Sequence, residues 1–549
     1  MPAAMKSKAS PPGSTETVIA RKAARALFVV ILFAGAVYII TRTNYFNGDG
    51  IGHVTRVMLS DGRPELSPRY FLYYPFLALI YKASGNDPLH YLRLLQLANA
   101  LLAGLALGLV FTIVAAWTKS KSLALLVSAA VAFSFVFWEF ATDLHHVMAG
   151  FTALLLSIAL PIFLSKRRAS MGLASALSAL GVVFATLWYL GNCFALFPVA
   201  WSLWRLWEEA APQKRLRALG IFALTILLAF CAAGLLAIVR DPNISTPADF
   251  IAWLAARNPT PGWSEFTAAT PWKALSGLLN AFQNFYTGLK TRDLLSGRAH
   301  WRLLPAQASL ATAAAMLLFL ACALLFFRRR IFKERPQLLP FSLIWILPFS
   351  LFNAYQCPED EQYWITTLVP IFILAAYSLK VVFKRPIFIL IPCLFFFGNL
   401  SSPMLEWHDS RHLEEMKAAQ EVASFLGPED AVLALAYDWT KFIPLLARRQ
   451  VFGLPGLADR ADTGRKSLEK LMKTVAFAEE RGGRTYLAGV SDLDNQRLAW
   501  LESITKIPRA KILSVAGRRT WEFAGESLWE ISPDWKSQAK AGWQEARID

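Results

Sequence analysis

The chain has 549 residues, 55% of them hydrophobic, with a mean hydropathy of +0.39 and a formal net charge of +17. Long apolar runs recur along it, which excludes an ordinary soluble class. The charge does not point to nucleic acid: residues 403–549 carry 21 Lys+Arg against 22 Asp+Glu, leaving 35 against 17 in residues 1–402. There the excess anchors loops and meets anionic lipid heads.

Eleven apolar runs lie near the ~20 residues a helix needs to cross a ~30 Å hydrocarbon layer. In chain order they are Ala26 to Ile40, Leu94 to Trp117, Leu123 to Trp138, Val147 to Leu164, Met171 to Trp188 and Asn192 to Trp204. Leu219 to Val239, Leu303 to Phe327, Leu339 to Phe352, Tyr363 to Leu379 and Pro386 to Leu400 follow. Lys6, Lys8, Arg21, Lys22 and Arg25 precede the first, and every second loop after it is basic: Lys119/Lys121, Lys166 to Arg168, Lys214/Arg215/Arg217, Arg328 to Arg330 and Lys384/Arg385. The short loops between carry Asp143, or Glu359 to Glu361, and neither Lys nor Arg. By the positive-inside rule the N-terminus is cytoplasmic and the C-terminus outside, in a multi-pass cytoplasmic-membrane protein. The first run lacks a small-residue cleavage pattern and reads as an uncleaved anchor. The five cysteines form no CxxC pair, so neither a zinc ribbon nor a disulfide framework is indicated.

Two outer loops are long, 43–93 and 240–302, and long loops in a compact protein usually carry function. In the first, Tyr70 to Tyr81 is apolar but short and interrupted by Pro75, which predicts an interfacial helix. After Leu400 the sequence turns soluble in character. Strand candidates Ala431 to Ala436 and Thr485 to Val490 alternate with helical candidates Leu413 to Leu426 and Ser467 to Glu480. The expected architecture is a polytopic α-helical membrane protein of about eleven spans, residues 1–402, followed by an extracytoplasmic α/β domain, residues 403–549. That domain carries no GxGxxG and no Walker loop.

The run Gly48 to Gly62, followed by Arg69 to Pro75, resembles the first outer loop of the C-type membrane glycosyltransferases, in particular protein O-mannosyltransferases and the lipid A aminoarabinose transferase. A looser likeness continues through Trp138 to Leu164 and Phe352 to Leu379. The resemblance implies transfer of a hexosyl or pentosyl unit from a polyprenyl-phosphate donor to an acceptor hydroxyl on a glycan, lipid or protein at the outer face. Asp49 matches the family's catalytic acid and would take the acceptor's proton. Many members carry two acidic residues there, whereas Gly50 follows Asp49, which puts a divalent metal at that point in doubt.

Asp143 is the second catalytic candidate. His53, one helical turn after Asp49, and His145 and His146 beside Asp143 are candidate acid/base or metal groups. The leaving lipid phosphate needs positive charge, and Arg56, Arg69 and Lys82 are the nearest cations, with Arg240, Arg257 and Arg292 in reserve. Competing with these are Asn-Gly-Asp-Gly as turn chemistry and Asp143 as a helix cap. The outer Tyr and Trp residues read as an interface belt. The main rival function is a transporter or flippase, which usually places ionisable groups at mid-membrane, where this sequence has almost none. A second is a membrane scaffold with a partner-binding outer domain.

Overall fold

The computed structural model describes residues 14–44, 46, 48–63, 67, 70–240, 246, 248–249, 266–282, 333–383, 389–400, 404, 408, 411–435, 439–453, 472–473, 475–476, 478–490, 495–505, 507–523, 526–532 and 534. The predicted span Leu303 to Phe327 lies outside them, and so does half of Ser467 to Glu480.

The membrane part is built from α1 (Ser14–Ile40), α4 (Pro88–Thr118), α5 (Lys121–Phe133), α6 (Phe135–Thr142), α7 (Val147–Lys166), α8 (Met171–Trp188), α9 (Leu196–Leu206) and α10 (Pro212–Arg240). Later come α12 (Leu338–Gln356), α13 (Glu361–Phe383) and α14 (Leu390–Asn399). Among the described residues, six helices are long and apolar enough to span, seven if α5 and α6 count as one broken span. The apolar part of α1, Arg25–Ile40, and α14 are shorter. The chain is thus a multi-pass membrane protein, with leucines such as Leu224, Leu227 and Leu228 of α10 turned outward as lipid contact requires.

Local chemistry sets several of the ends. Asp87 caps α4 by accepting from the His90 N–H, and Pro88 occupies its first turn, where a missing N–H costs nothing. Ser120 and Ser170 cap α5 and α8 in the same way. The run Leu123 to Trp138, read as one span, is broken: Ser134 adopts an extended backbone (ψ 144°), and the chain turns by 64° into α6. Every residue of α6 is buried, and the bend delivers Asp143 to the bundle interior.

The first long loop folds into α2 (Gly48–Leu59) and α3 (Tyr73–Ala83). At 11 residues α3 is far too short to cross a membrane, as expected of Tyr70 to Tyr81. The second contributes α11 (Thr270–Phe282), which lies so close to the loop before α13 that a side chain on Gly277 would collide with the Pro358 carbonyl and the Trp364 ring.

Beyond Leu400 the described residues include α15 (Arg411–Phe425), α16 (Ile443–Ala447), α17 (Asn495–Thr505), α18 (Arg509–Ser514) and a five-stranded sheet. Its strands are β1 (Ala431–Ala434), β2 (Gln450–Gly453), β3 (Thr485–Ala488), β4 (Ala516–Phe523) and β5 (Glu526–Ile531), in the order β2-β1-β3-β5-β4. Here β1 pairs in parallel with β2 and β3, while β5 runs antiparallel to β3 and β4. The two parallel partners explain why Ala431 to Ala434 is apolar without alternation: all four residues are buried. One apolar cluster joins Ile51, Val54 and Leu77 of the first loop to Met416, Val422 and Phe442 of this unit. Phe46 meets Phe442 edge to face at 6.1 Å, and Asn44 Nδ2 donates to the His408 carbonyl at 2.8 Å.

Candidate active site at the outer loops

Asp49 stands exposed in the first turn of α2, where an anion complements the free N–H groups and the positive helix end. Gly50 beside it is buried against the loop between α6 and α7. A Cβ there would lie 3.3 Å from Leu144 Cβ and 3.5 Å from the His145 nitrogen. The absence of a second acid after Asp49 therefore has a steric cause. A larger residue would push the Asp143–His146 loop away from α2.

His53 follows one turn later and faces inward. Its Nδ1 lies 2.9 Å from the Tyr74 hydroxyl, which also accepts from Arg56 Nη1 at 3.0 Å. The ring sits 4.7 Å from Tyr70, 5.6 Å from Tyr73, 5.7 Å from His146 and 6.2 Å from His145, centroid to centroid. His145 and His146 lie 4.1 Å apart and both are buried. Burial, with the neighbouring His145, pulls the His53 pKa down to about 3, and burial pulls His145 down to about 3. His146 is lowered too, by burial first and then by the other two rings. All three are neutral imidazoles at neutral pH, which suits them to shape a site and not to supply charge.

The loop carrying them is held from α4. Asn99 Nδ2 donates to the carbonyls of Asp143 and His145 at 2.8 and 3.2 Å, and Gln96 Nε2 to those of Thr43 and Thr142 at 2.9 and 2.8 Å. Tyr73 adds a 2.7 Å bond to the Leu144 carbonyl. These polar side chains of α4 thus fix the backbone around the loop.

Asp143 is only 2% exposed. It lies in electrostatic range of Glu139, which in turn senses Asp360 in the loop before α13, and Asp360 also senses Asp49. Burial, and then Glu361 beside it, raises the Asp360 pKa well above the usual carboxylate range. Glu359 points to the surface, where Lys273 of α11 meets it at 3.6 Å. Among the described residues no group of three or more His, Cys, Asp or Glu side chains is placed to hold a metal ion. The histidine trio packs ring against ring, and the residues present do not fit the divalent metal that the loop pattern raised.

The predicted cations fare unevenly. Arg56 is exposed on α2, its guanidinium 5.7 Å from the Tyr74 ring centroid. Lys82 ends α3 and runs along Gly62, past the opposite end of α2 from Asp49. Arg69, Arg257 and Arg292 lie outside the described residues, and nothing is described of the Arg240 side chain. The structure thus brings Asp49, His53, His145, His146 and Asp143 together, with Arg56 two turns away, and leaves Lys82 apart. Sequence reasoning missed Tyr70, Tyr73 and Tyr74. Their three-in-five spacing signals a packed helical face, but their composition read as an interface belt.

No family model and no curated protein matches the chain. Among solved structures, ArnT from Cupriavidus metallidurans bound to undecaprenyl phosphate superposes with a TM-score of 0.55 at 12% identity, covering 95% of this chain and 99% of that one. Its apo state gives 0.56 at 12% identity over 92% and 98%. The arabinofuranosyltransferase AftD from Mycobacteria reaches only 0.44, over 93% of this chain and 40% of that one, and nothing rests on it. At such identity the likeness is one of fold: the chain shares the architecture of ArnT, the C-type fold that its first loop led one to expect.

Proposed function

We propose that this protein transfers a sugar from a polyprenyl-phosphate-linked donor to an acceptor hydroxyl on the outer face of the cytoplasmic membrane, with Asp49 as general base. The observation that carries the reading is one exposed carboxylate, Asp49, at the rim of a buried wall of neutral His and Tyr rings. It stands on a fold shared end to end with a protein whose crystal structure holds undecaprenyl phosphate. In this reading residues 1–402 form the transferase body, and residues 403–549 lie on the extracytoplasmic side, seated on α2.

The acceptor O–H gives its proton to the Asp49 carboxylate as its oxygen attacks the anomeric carbon. The bond from that carbon to the phosphate oxygen breaks, the electron pair leaves with the lipid phosphate, and the sugar inverts. Arg56, seven residues along α2 and so roughly 10 Å from Asp49 along the axis, is suited to meet the departing phosphate. Asp143, buried on the loop that packs against Gly50, is the second catalytic candidate in this reading.

The test is a glycan profile of the cell envelope from a deletion strain complemented with the parent or with Asp49→Asn at matched protein level. The expected result with Asp49→Asn is loss of one sugar from a defined polymer, lipid or protein, together with accumulation of its lipid-linked donor. An unchanged profile with both proteins would move the weight to a transporter.

A further inference from the structure

Two guanidiniums that the transfer reading leaves unused stand where α1 ends and α4 begins, at the end of the bundle that carries the long loops. The two helices pack closely: a Cβ on Gly104 of α4 would lie 3.3 Å from Ile31 Cγ2 of α1. Arg42 follows the last turn of α1 and is exposed, and Arg93 is half-buried in the second turn of α4. Arg93 Nη1 donates to Gln96 Oε1 at 2.9 Å, and its Nη2 reaches Asn44 Oδ1 at 3.4 Å. Both amides are fixed in orientation, because their nitrogens donate to backbone carbonyls, Gln96 to those of Thr43 and Thr142 and Asn44 to that of His408. Arg93 is thus held in place by neutral acceptors, which use two of a guanidinium's five N–H groups and leave three. Arg42 lies in electrostatic range of Arg93, and among the described residues neither pairs with a carboxylate. Two like charges held together without a counter-charge attract an anion from outside the chain.

The surface beside the cations decides which anion. Leu97, Leu101 and Leu105 follow Arg93 at four-residue steps, hence on its side of α4, and they are 46%, 69% and 54% exposed. Ile39 and Ile40 at the end of α1 are exposed as well. Helical side chains lean toward the N-terminus, so Arg93 leans from this apolar stripe toward the headgroup level. A soluble anion would meet the cations and leave the stripe unmatched, whereas a phospholipid meets both. An amine on the headgroup would bring a further cation beside Arg42, which favours a lipid with net negative charge. We propose that Arg93 and Arg42 hold the phosphate of an anionic phospholipid such as phosphatidylglycerol, with an acyl chain along Leu97, Leu101 and Leu105. The headgroup then lies against Asn44, whose amide bonds Arg93 on one side and the His408 carbonyl on the other, while His408 Nδ1 donates to the Arg42 carbonyl at 2.8 Å. The site is independent of the transfer reading, since none of these residues takes part in proton transfer to Asp49.

The test counts lipids on the full-length protein by native mass spectrometry, titrating it with phosphatidylglycerol or phosphatidylethanolamine of the same acyl chains. The parent is expected to show one site that the anionic lipid fills about 10-fold or more tightly. Arg93→Gln should abolish that site, and Arg42→Gln should weaken it about 5-fold. Because the Arg42 side chain is exposed, its variant keeps the test decisive even where Arg93→Gln fails to fold. Lys121→Gln, which removes an exposed cation from the opposite end of the bundle, should leave the site intact. Inorganic phosphate and farnesyl phosphate, each in excess, should not displace the lipid. The proposal is overturned if the two lipids bind alike, if the folded Arg variants keep the site, or if Lys121→Gln removes as much as they do. Displacement also overturns it: by farnesyl phosphate it would assign the cations to the sugar donor, and by inorganic phosphate to a soluble anion. Asp49→Asn should bind the lipid as the parent does, whatever its effect on transfer.

Discussion

The Tyr74 hydroxyl joins two side chains of α2 that stand a turn apart, since His53 and Arg56 both bond to it. Tyr74→Phe removes that link and leaves the ring in place. The expected loss of stability is about 1 to 2 kcal/mol, with a larger loss of transfer rate because Arg56 no longer has a fixed orientation; thermal unfolding and initial rates check the two separately. The histidines predict a pH dependence. In the folded chain His53 and His145 hold no proton above about 3, whereas in the unfolded chain they protonate near the ordinary 6.5. The unfolded state therefore binds more protons, and stability rises with pH across that interval. Their contribution is complete above 6.5 and is lost as pH falls from there toward 3. His145→Phe should flatten the acid limb of the melting temperature against pH. His53→Phe should do so less, because part of its ring surface stays open.

At the scale of elements, Gly50 decides how closely α2 approaches the Asp143–His146 loop. Gly50→Asp would restore the tandem acid of related loops, yet its side chain meets Leu144. A destabilisation of about 1 to 3 kcal/mol is expected, with a fall in transfer rate that an added carboxylate does not offset; calorimetry beside a rate assay would show it. Sequence legibility divides along the same lines. Helix α3 was readable because Pro75 and its length forbade a span, and β1 and β3 were readable as short apolar runs between helical patterns. The α2 helix was not, since Gly48 and Gly50 read as turn chemistry while close contact with Leu144 favours Gly50. The bend at Ser134 left no mark in hydropathy, because the apolar run continues through it. Asp49, Asp143 and the histidines could be nominated from loop position. That three histidines and three tyrosines share one wall depends on packing between elements far apart in the chain.

For the whole molecule, the sheet-bearing unit rests on α2, the element that carries Asp49. Phe46, next to α2 in sequence, packs on Phe442, and the apolar face of α2 continues into α15 and α16. Phe442→Ala should therefore weaken docking by about 3 kcal/mol or more and lower transfer through Asp49, although residue 442 is nearly 400 positions away; limited proteolysis beside the rate assay would report both. Lys273→Ala, which removes an exposed ion pair with Glu359, should cost under about 1 kcal/mol and marks the background for such effects. The central claim is that this membrane fold transfers sugar by proton abstraction at Asp49. Its most direct measurement is the initial transfer rate and the donor affinity of purified parent and Asp49→Asn in nanodiscs, with the donor that accumulates in the complemented strain. The account predicts a rate loss of about 10²- to 10⁴-fold with donor affinity unchanged. An Asp49→Asn protein that transfers sugar as fast as the parent would contradict it.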